Sequence, residues 1–570
     1  MYLLLELALT LFAIACALWK PNVFSGPFQA IEKYISRIAR RQRLAVLLVG
    51  IVALAARLAV IPVSPIPSPA IQDEFGHLLI ADTFAHGKIT NPTHPLWIHF
   101  ESFNIIERPT YQGMAQPGQG ILLAAGKLIG GHPFWGVWFS LGLLCASICW
   151  MLQAWVPPEW ALVGGLFAVI RLAMFSYWGA SYWGGALGAT AGALVLGALP
   201  RIVRNPRPRY AVILGCALIL LANTRPFEGF VFSLPIALAL IIWLSELPGS
   251  ERLAAFTRVV LPLSVVITAG LLATSYYFYR VTGSPFRMPY QEHLTQYSVA
   301  PYFIWQSVHP QPVYHHEMLR IFYVDWELVR YSQTRTVLGA LVNWAQRFWW
   351  YWLFYLGPAL TAAVVITILT APYGTRWSDF SRKLQFLIAL SAVFIFALAL
   401  EIPSIPHYAA PLTAAMYAFV LIAMRYVRQN WRPIGKLSGV FLTRAIGSIC
   451  ILLVLVRVAS VPLCLPPPAW WPSTWAGPTA MGPNRAEIES QLLSRPGQHL
   501  VIVRYLPSHD PNFEWVYNSA DIDNSKIVWA RDMGAANKEL LDYYPQRDVW
   551  FADADTIPPR LVPYAAESKP

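Results

Sequence analysis

Charge is scarce in this chain. Asp, Glu, Lys and Arg make up 13% of its 570 residues, roughly half the share usual in soluble proteins, which excludes an ordinary soluble fold of this length. Cysteine is scarcer still: Cys16, Cys145, Cys149, Cys216, Cys450 and Cys464 all fall within apolar runs or at their ends. They show no CxxC spacing and no Cys/His cluster, so neither a disulfide framework nor a zinc site is indicated. What is abundant is apolar. Hydrophobic residues reach 56%, with 24 Trp, 26 Tyr and 29 Phe, and the mean hydropathy is +0.46. Repeated apolar runs of about 20 residues, each enough to cross a ~30 Å hydrocarbon core, define a polytopic α-helical membrane protein. The net charge of +12 is no nucleic-acid footprint, because Lys and Arg cluster in short loops between the runs. No nucleic-acid partner is expected.

About twelve spans are expected, at 2–19, 44–63, 134–153, 160–177, 183–200, 210–224, 227–245, 259–280, 348–371, 384–402, 408–427 and 444–464. The first lacks a basic start and ends at Lys20, which reads as an anchor helix with its N-terminus outside. With the basic segment that follows it makes up residues 1–43; stretch 30–43 fits either a stop signal or a helix lying on the cytoplasmic lipid surface. Residues 44–464 form the transmembrane domain. Lys33, Arg37 and Arg40 precede the second span, Arg201 and Arg204 follow the fifth, and Arg425, Arg428 and Lys436 lie around the eleventh-to-twelfth turn. Taking these loops as cytoplasmic puts the long segments 64–133 and 281–347 and the C-terminus outside. Residues 465–483 are a Pro/Trp-rich linker. Residues 484–570 then change character. Helical stretches at 486–493 and 535–544 alternate with strand-like runs at 499–504, 526–530 and 548–552, which predicts a small extracytoplasmic α/β domain with a short parallel sheet. That region has no GxGxxG and no P-loop, so nucleotide binding has no support.

Two adjacent acids stand just past the second span, in Asp73-Glu74-Phe75-Gly76-His77. Holding two carboxylates together at a membrane edge is costly, which favours a chemical role. One of them would act as general base towards an acceptor hydroxyl while its neighbour orients acceptor or donor. The plainer reading has Asp73 capping a helix from 74 to 86, with Glu74 in its first turn. Arg225, in Asn223-Thr224-Arg225-Pro226-Phe227-Glu228-Gly229, either forks onto a donor phosphate or pairs with Glu228. Arg171, near mid-span, calls for an intraprotein partner. His407 and Tyr408 suit donor phosphate or an interfacial anchor. His99 and Glu101 alternate in sequence and would share one face of an extended segment. There they would line the acceptor path or, with Asp73, hold a divalent metal; no cofactor is otherwise indicated. The aromatics of 177–185 read as interface anchors ahead of a sugar-stacking platform.

The run Asp73-Glu74-Phe75-Gly76-His77-Leu78-Leu79-Ile80-Ala81-Asp82-Thr83, followed by Gly87-Lys88-Ile89, resembles the first outer loop of GT-C superfamily glycosyltransferases. The likeness is to the glycosyltransferase family 39-like branch, which holds protein O-mannosyltransferases and the lipid A aminoarabinose and galacturonic acid transferases. His407-Tyr408-Ala409-Ala410-Pro411 is similar to a late element of that family. One departure is Gln116-Pro117-Gly118-Gln119-Gly120, where the family often has His-Pro-Pro-Leu.

The resemblance implies an enzyme of the plasma (inner) membrane that takes a sugar from a polyprenyl-phosphate carrier. It would deliver the sugar to a lipid, glycan or protein hydroxyl on the periplasmic or other extracytoplasmic face, among membrane lipid. Asp73 matches the family's catalytic acid and Glu74 its neighbour. The competing reading is a transporter or flippase of lipid-linked sugars. Acids clustered outside the spans, rather than at the bilayer midplane, favour the enzyme.

Overall fold

The computed structural model describes residues 1–22, 25–433, 437–465, 472–475, 477 and 483–564. Most of the expected 465–483 linker, together with Lys436, lies outside the described residues. Every expected span falls on a helix. Among the described residues eight helices are long and apolar enough to cross a membrane, or nine if the bent pair Val337–Tyr355 and Gly357–Thr370 is one span. That is fewer than the twelve expected, and the reason is length. The 160–177 run folds as Pro158–Ala168 followed by a π turn, Val169–Ala173. Pro208–Ala222 has 15 residues and Arg382–Leu398 has 17, short of the ~20 that a full crossing takes.

The bend of 103° between Val337–Tyr355 and Gly357–Thr370 falls at Gly357, whose φ of +62° is open to glycine at little cost. A Cβ there would also lie 2.7 Å from Glu6 Oε1 and 2.8 Å from Arg171 Nη2. The glycine thus makes room for a buried ion pair in which Arg171 Nη1 donates to Glu6 Oε1 at 3.0 Å. Arg171 has the intraprotein partner its position demands, and the pair ties the first helix to the middle of the bundle.

Outside the bundle, segment 64–133 is built on two packed helices, Gln72–Ala85 and Pro117–Gly130. They are joined through a small antiparallel sheet of Asn91–Pro92, Thr110–Gly113 and Ile105–Ile106. Close approach is achieved with glycine: a Cβ on Gly120 would stand 2.3 Å from Ile80 Cγ2, and one on Gly113 would stand 2.1 Å from the Gly76 carbonyl oxygen.

At the C-terminus His499–Arg504 pairs in parallel with Ile527–Arg531 on one side and Asp548–Asp553 on the other, with Val501 opposite both Trp529 and Trp550. A fourth strand, Arg560–Pro563, adds antiparallel to Asp548–Asp553. It was not expected, being four residues long and preceded by Pro558-Pro559, which mask a strand pattern. The central strands are buried on both faces by Leu500, Ile502, Val501 and Val503, as a covered parallel sheet requires.

This unit sits directly on the Gln72–Ala85 helix. The Ala520 N–H donates to Asp82 Oδ2 at 2.7 Å, the Gln72 N–H donates to the Asn512 carbonyl at 3.1 Å, and Tyr517 stacks on Phe75 with centroids 4.6 Å apart. Lys127 closes the other side of Asp82. One helix is therefore clamped between the bundle and the C-terminal sheet. If the basic loops mark the cytoplasmic side, single cysteines at the exposed Lys88 and Asn524 should both react with an impermeant thiol reagent in intact cells. Protection of both until lysis would reverse that orientation.

Candidate active site

The Gln72–Ala85 helix begins two residues earlier than the sequence suggests, with Ile71 as its N-cap. Asp73 is therefore inside the first turn and does not cap it. The capping task falls to Glu74. Its Oε2 accepts from the backbone N–H of Ala70 (3.0 Å) and of Ile71 (3.1 Å), and its Oε1 accepts from the Tyr182 N–H (2.9 Å). This buried carboxylate thus staples three strands of backbone: the approach to the helix, the helix start, and the 177–185 turn. Burial pushes its pKa up, and the three donors offset that by favouring the charged form.

Asp73 differs in every respect. It is half-buried, and Asn104 Nδ2 donates to its Oδ1 at 2.9 Å. Asn104 reaches it from a left-handed backbone, φ +61°, a conformation that Asn tolerates better than most residues. Burial raises the Asp73 carboxyl to about 6, with Arg225 and the Trp183 side chain pulling the other way. A carboxylate so poised can both hold and release a proton near neutrality.

Two cavities meet at Asp73. The larger, about 1010 Å³, is enclosed by the start of the Asp73 helix, by Glu327 and Arg330 from segment 281–347, and by Asp510 and Asn512 from the C-terminal unit. The smaller, about 510 Å³, holds His77, Arg225, Glu228, His407 and Tyr408 among apolar walls that include Phe227 and Leu187. Asp73, Trp183, Tyr290 and Tyr408 line both. In the smaller cavity the Arg225 guanidinium lies 4.5 Å over the Tyr408 ring, with Nη1 3.8 Å from Glu228 Oε1. That separation is an ion pair without a good hydrogen bond. Tyr177 Oη and His407 Nδ1 are 3.2 Å apart, and His407 stacks on Tyr408 with centroids at 5.3 Å. His77, one turn after Asp73, is pushed down to about 3, first by burial and then by Arg225, so it is neutral at physiological pH.

Of the residues singled out from sequence, Asp73, Arg225, His407 and Tyr408 come together. His99 and Glu101 do not join them. Residues Trp97–Phe100 form a helical turn, so the two do not share an extended face. Glu101 is taken up by Tyr297 Oη (2.9 Å) and His315 Nδ1 (2.8 Å), while His99 Nε2 faces Glu539 Oε2 at 3.8 Å. Neither lines a cavity with Asp73. The divalent site imagined for Asp73, His99 and Glu101 is not assembled, and among the described residues no group of three or more His, Cys, Asp or Glu side chains could hold a metal ion. The interface-anchor reading of 177–185 also fails. Tyr177, Trp178 and Tyr182 are buried, because this turn folds inward over the site. Sequence reasoning missed Asn104 and His77, and weighed Trp183 only as one of the 177–185 aromatics. Only His77 carried a signal, its spacing of four from Asp73, which puts the two on one helix face.

No family model and no curated sequence matches the chain. Among solved structures it is similar to the crystal structure of ArnT from Cupriavidus metallidurans in the apo state, at 12% identity and TM-score 0.47, over 89% of this chain and 92% of that one. It is similar also to the same protein bound to undecaprenyl phosphate, at 15% identity and TM-score 0.45, over 90% of each chain. The oligosaccharyltransferase of Archaeoglobus fulgidus, in complex with Zn and sulfate, aligns at 9% identity and TM-score 0.39, over 89% of this chain and 67% of that one. These are likenesses of overall architecture and assign no residue a role.

The division between the two acids has a direct consequence. Glu74→Ala should leave three buried N–H groups unpaired and cost on the order of 2–5 kcal/mol, seen as lost membrane yield and a lower thermal midpoint in detergent. Asp73→Asn should leave both unchanged.

Proposed function

We propose that the protein is an integral-membrane glycosyltransferase that moves a sugar from a polyprenyl-phosphate donor to an acceptor hydroxyl on the outer face of the membrane. The observation that carries this reading is the place of Asp73 where two cavities meet, one with a forked cation and apolar walls, the other larger and bearing further charged groups such as Glu327 and Arg330. The smaller cavity suits a prenyl-phosphate head. Arg225 is held in place by Tyr408 and only loosely engaged by Glu228, so its guanidinium can fork onto phosphate oxygens. His407, packed on Tyr408, completes that wall. The larger cavity takes the acceptor.

In the reaction the acceptor oxygen attacks the anomeric carbon, and the bond from that carbon to the donor phosphate oxygen breaks. Its electron pair leaves with the polyprenyl phosphate, whose charge faces Arg225. The acceptor proton passes to Asp73. Glu74 does no chemistry; it fixes the helix start so that Asp73 projects between the cavities. Trp183 and Asn104 orient the Asp73 carboxylate. The C-terminal unit forms part of the acceptor wall through Asp510 and Asn512, which supports a role in access and not in bond making.

Because the base works only when ionised, and its carboxyl is raised to about 6, transfer should fall as pH drops through about 6. Asp73→Asn should lower transfer by on the order of 10²–10⁴-fold with the fold intact, the usual scale for loss of a general base. Mass spectrometry of lipids and glycans from cells with and without the protein supplies the readout, since the mass gained identifies sugar and acceptor together. Full transfer by the Asn variant would remove Asp73 from the mechanism.

A further inference from the structure

Glu74 cannot serve as the second acid of the site, since each of its oxygens is occupied by backbone. Another carboxylate stands in its place. Glu327, on the irregular helical stretch Ile321–Leu328 of segment 281–347, lines the same large cavity as Asp73 and is half-buried there. Glu327 is close enough to feel the charge of Asp73. We propose that Glu327 is the second acid of the transfer site and that it positions the acceptor opposite Asp73 through a hydrogen bond given by its protonated carboxyl. This rests on the transferase reading above.

The surroundings of Glu327 fit a carboxylic acid better than a carboxylate. Its nearest polar neighbour is Ser298 Oγ, 3.3 Å from Oε2. That hydroxyl has a single proton and a closer partner, the Ala300 carbonyl at 2.9 Å, which leaves little for Glu327 to accept. Arg330 is the cation facing it, exposed and one helical turn on. Tyr290, Tyr314 and Tyr323 are near it, and burial raises their hydroxyl pKa, so they supply neutral hydroxyls and no charge. Burial raises Glu327 itself to about 7, against Arg330 and Ser298, while Asp73 raises it further. Two acids facing one cavity cannot both ionise cheaply. The arrangement therefore separates their tasks: Asp73 gives up its proton first and serves as base, and Glu327 keeps its own and donates to an acceptor oxygen. Above neutrality Glu327 ionises, loses the donated bond and opposes the approach of electron-rich oxygens.

The test uses the full-length protein in membrane vesicles that carry their own donor and acceptor, with transfer followed as mass gain between pH 5.5 and 8.5. Wild type should show a falling alkaline limb. Glu327→Ala should lower transfer at least 10-fold at pH 6.5. Glu327→Gln stays neutral and keeps an N–H donor, so it should remain within a few-fold of wild type at pH 6.5 and should lose the alkaline limb. A merely structural residue would not show that flattening. Wild-type transfer and pH dependence in the Ala variant would overturn the proposal. So would a Gln variant as impaired as Ala with its alkaline limb intact. Asp73→Asn, run alongside, separates the two readings. If it abolishes mass gain while Glu327→Ala does not, this inference alone fails; if the wild-type protein gives no mass gain over vesicles that lack it, the transferase reading fails as well.

Discussion

The site depends on the Glu74 carboxylate accepting three backbone N–H groups. Two of these donors lie in the approach to the Gln72–Ala85 helix, and the third belongs to the 177–185 turn, more than a hundred residues away. A buried charge is tolerated there because each oxygen is satisfied by a fixed dipole. The consequence is geometric. With the helix start locked, Asp73 has one direction to face, and the aromatic turn that carries Trp183 is brought over it. Clamping by the C-terminal sheet, through Asp82 and Tyr517, makes the same helix rigid at its far side. The polar chemistry is thus mounted on a supported element, where positions can be held closely.

Electrostatics then divide the site. The smaller cavity holds Arg225 beside Glu228, while burial and the Arg225 charge keep His77 neutral. The larger cavity is of mixed charge, with Asp73, Glu327 and Asp510 on its walls together with Arg330, Arg347 and Arg457. Asp73 belongs to both, and its raised pKa reflects the balance between desolvation on one side and Arg225 on the other. A transfer between two bound partners needs that kind of arrangement: a cation where negative charge accumulates on the leaving group, and a base on the acceptor side that can take up a proton near neutrality.

Much of the fold was legible in the sequence because apolar length is a strong signal. Each expected span lies on a helix, and the three main strands of the C-terminal sheet fall close to where the run of Val, Ile and Trp placed them. The shortfall in full-length spans came from helices such as Pro208–Ala222, whose 15 residues look apolar enough but do not measure up. The site was legible in part. Asp73 and Arg225 stood out because charge is rare near spans. Roles were harder to assign, since which of two adjacent acids meets the cavity depends on where the helix starts, and a shift of two residues moved the capping role from Asp73 to Glu74. His99 and Glu101 misled because alternation was taken for an extended strand where the chain makes a helical turn. Asn104 and Glu327 gave no local sign at all; they reach the site through tertiary packing of loops whose sequences carry no pattern.

The central claim is that Asp73 stands between a phosphate-binding cavity and an acceptor cavity. An experimental structure of the Asp73→Asn protein with undecaprenyl phosphate tests it most directly. The account predicts phosphate density against the Arg225 guanidinium in the smaller cavity, with the prenyl chain leaving along its apolar wall and the larger cavity free for the acceptor. Phosphate seated in the larger cavity, or on neither side of residue 73, would contradict it.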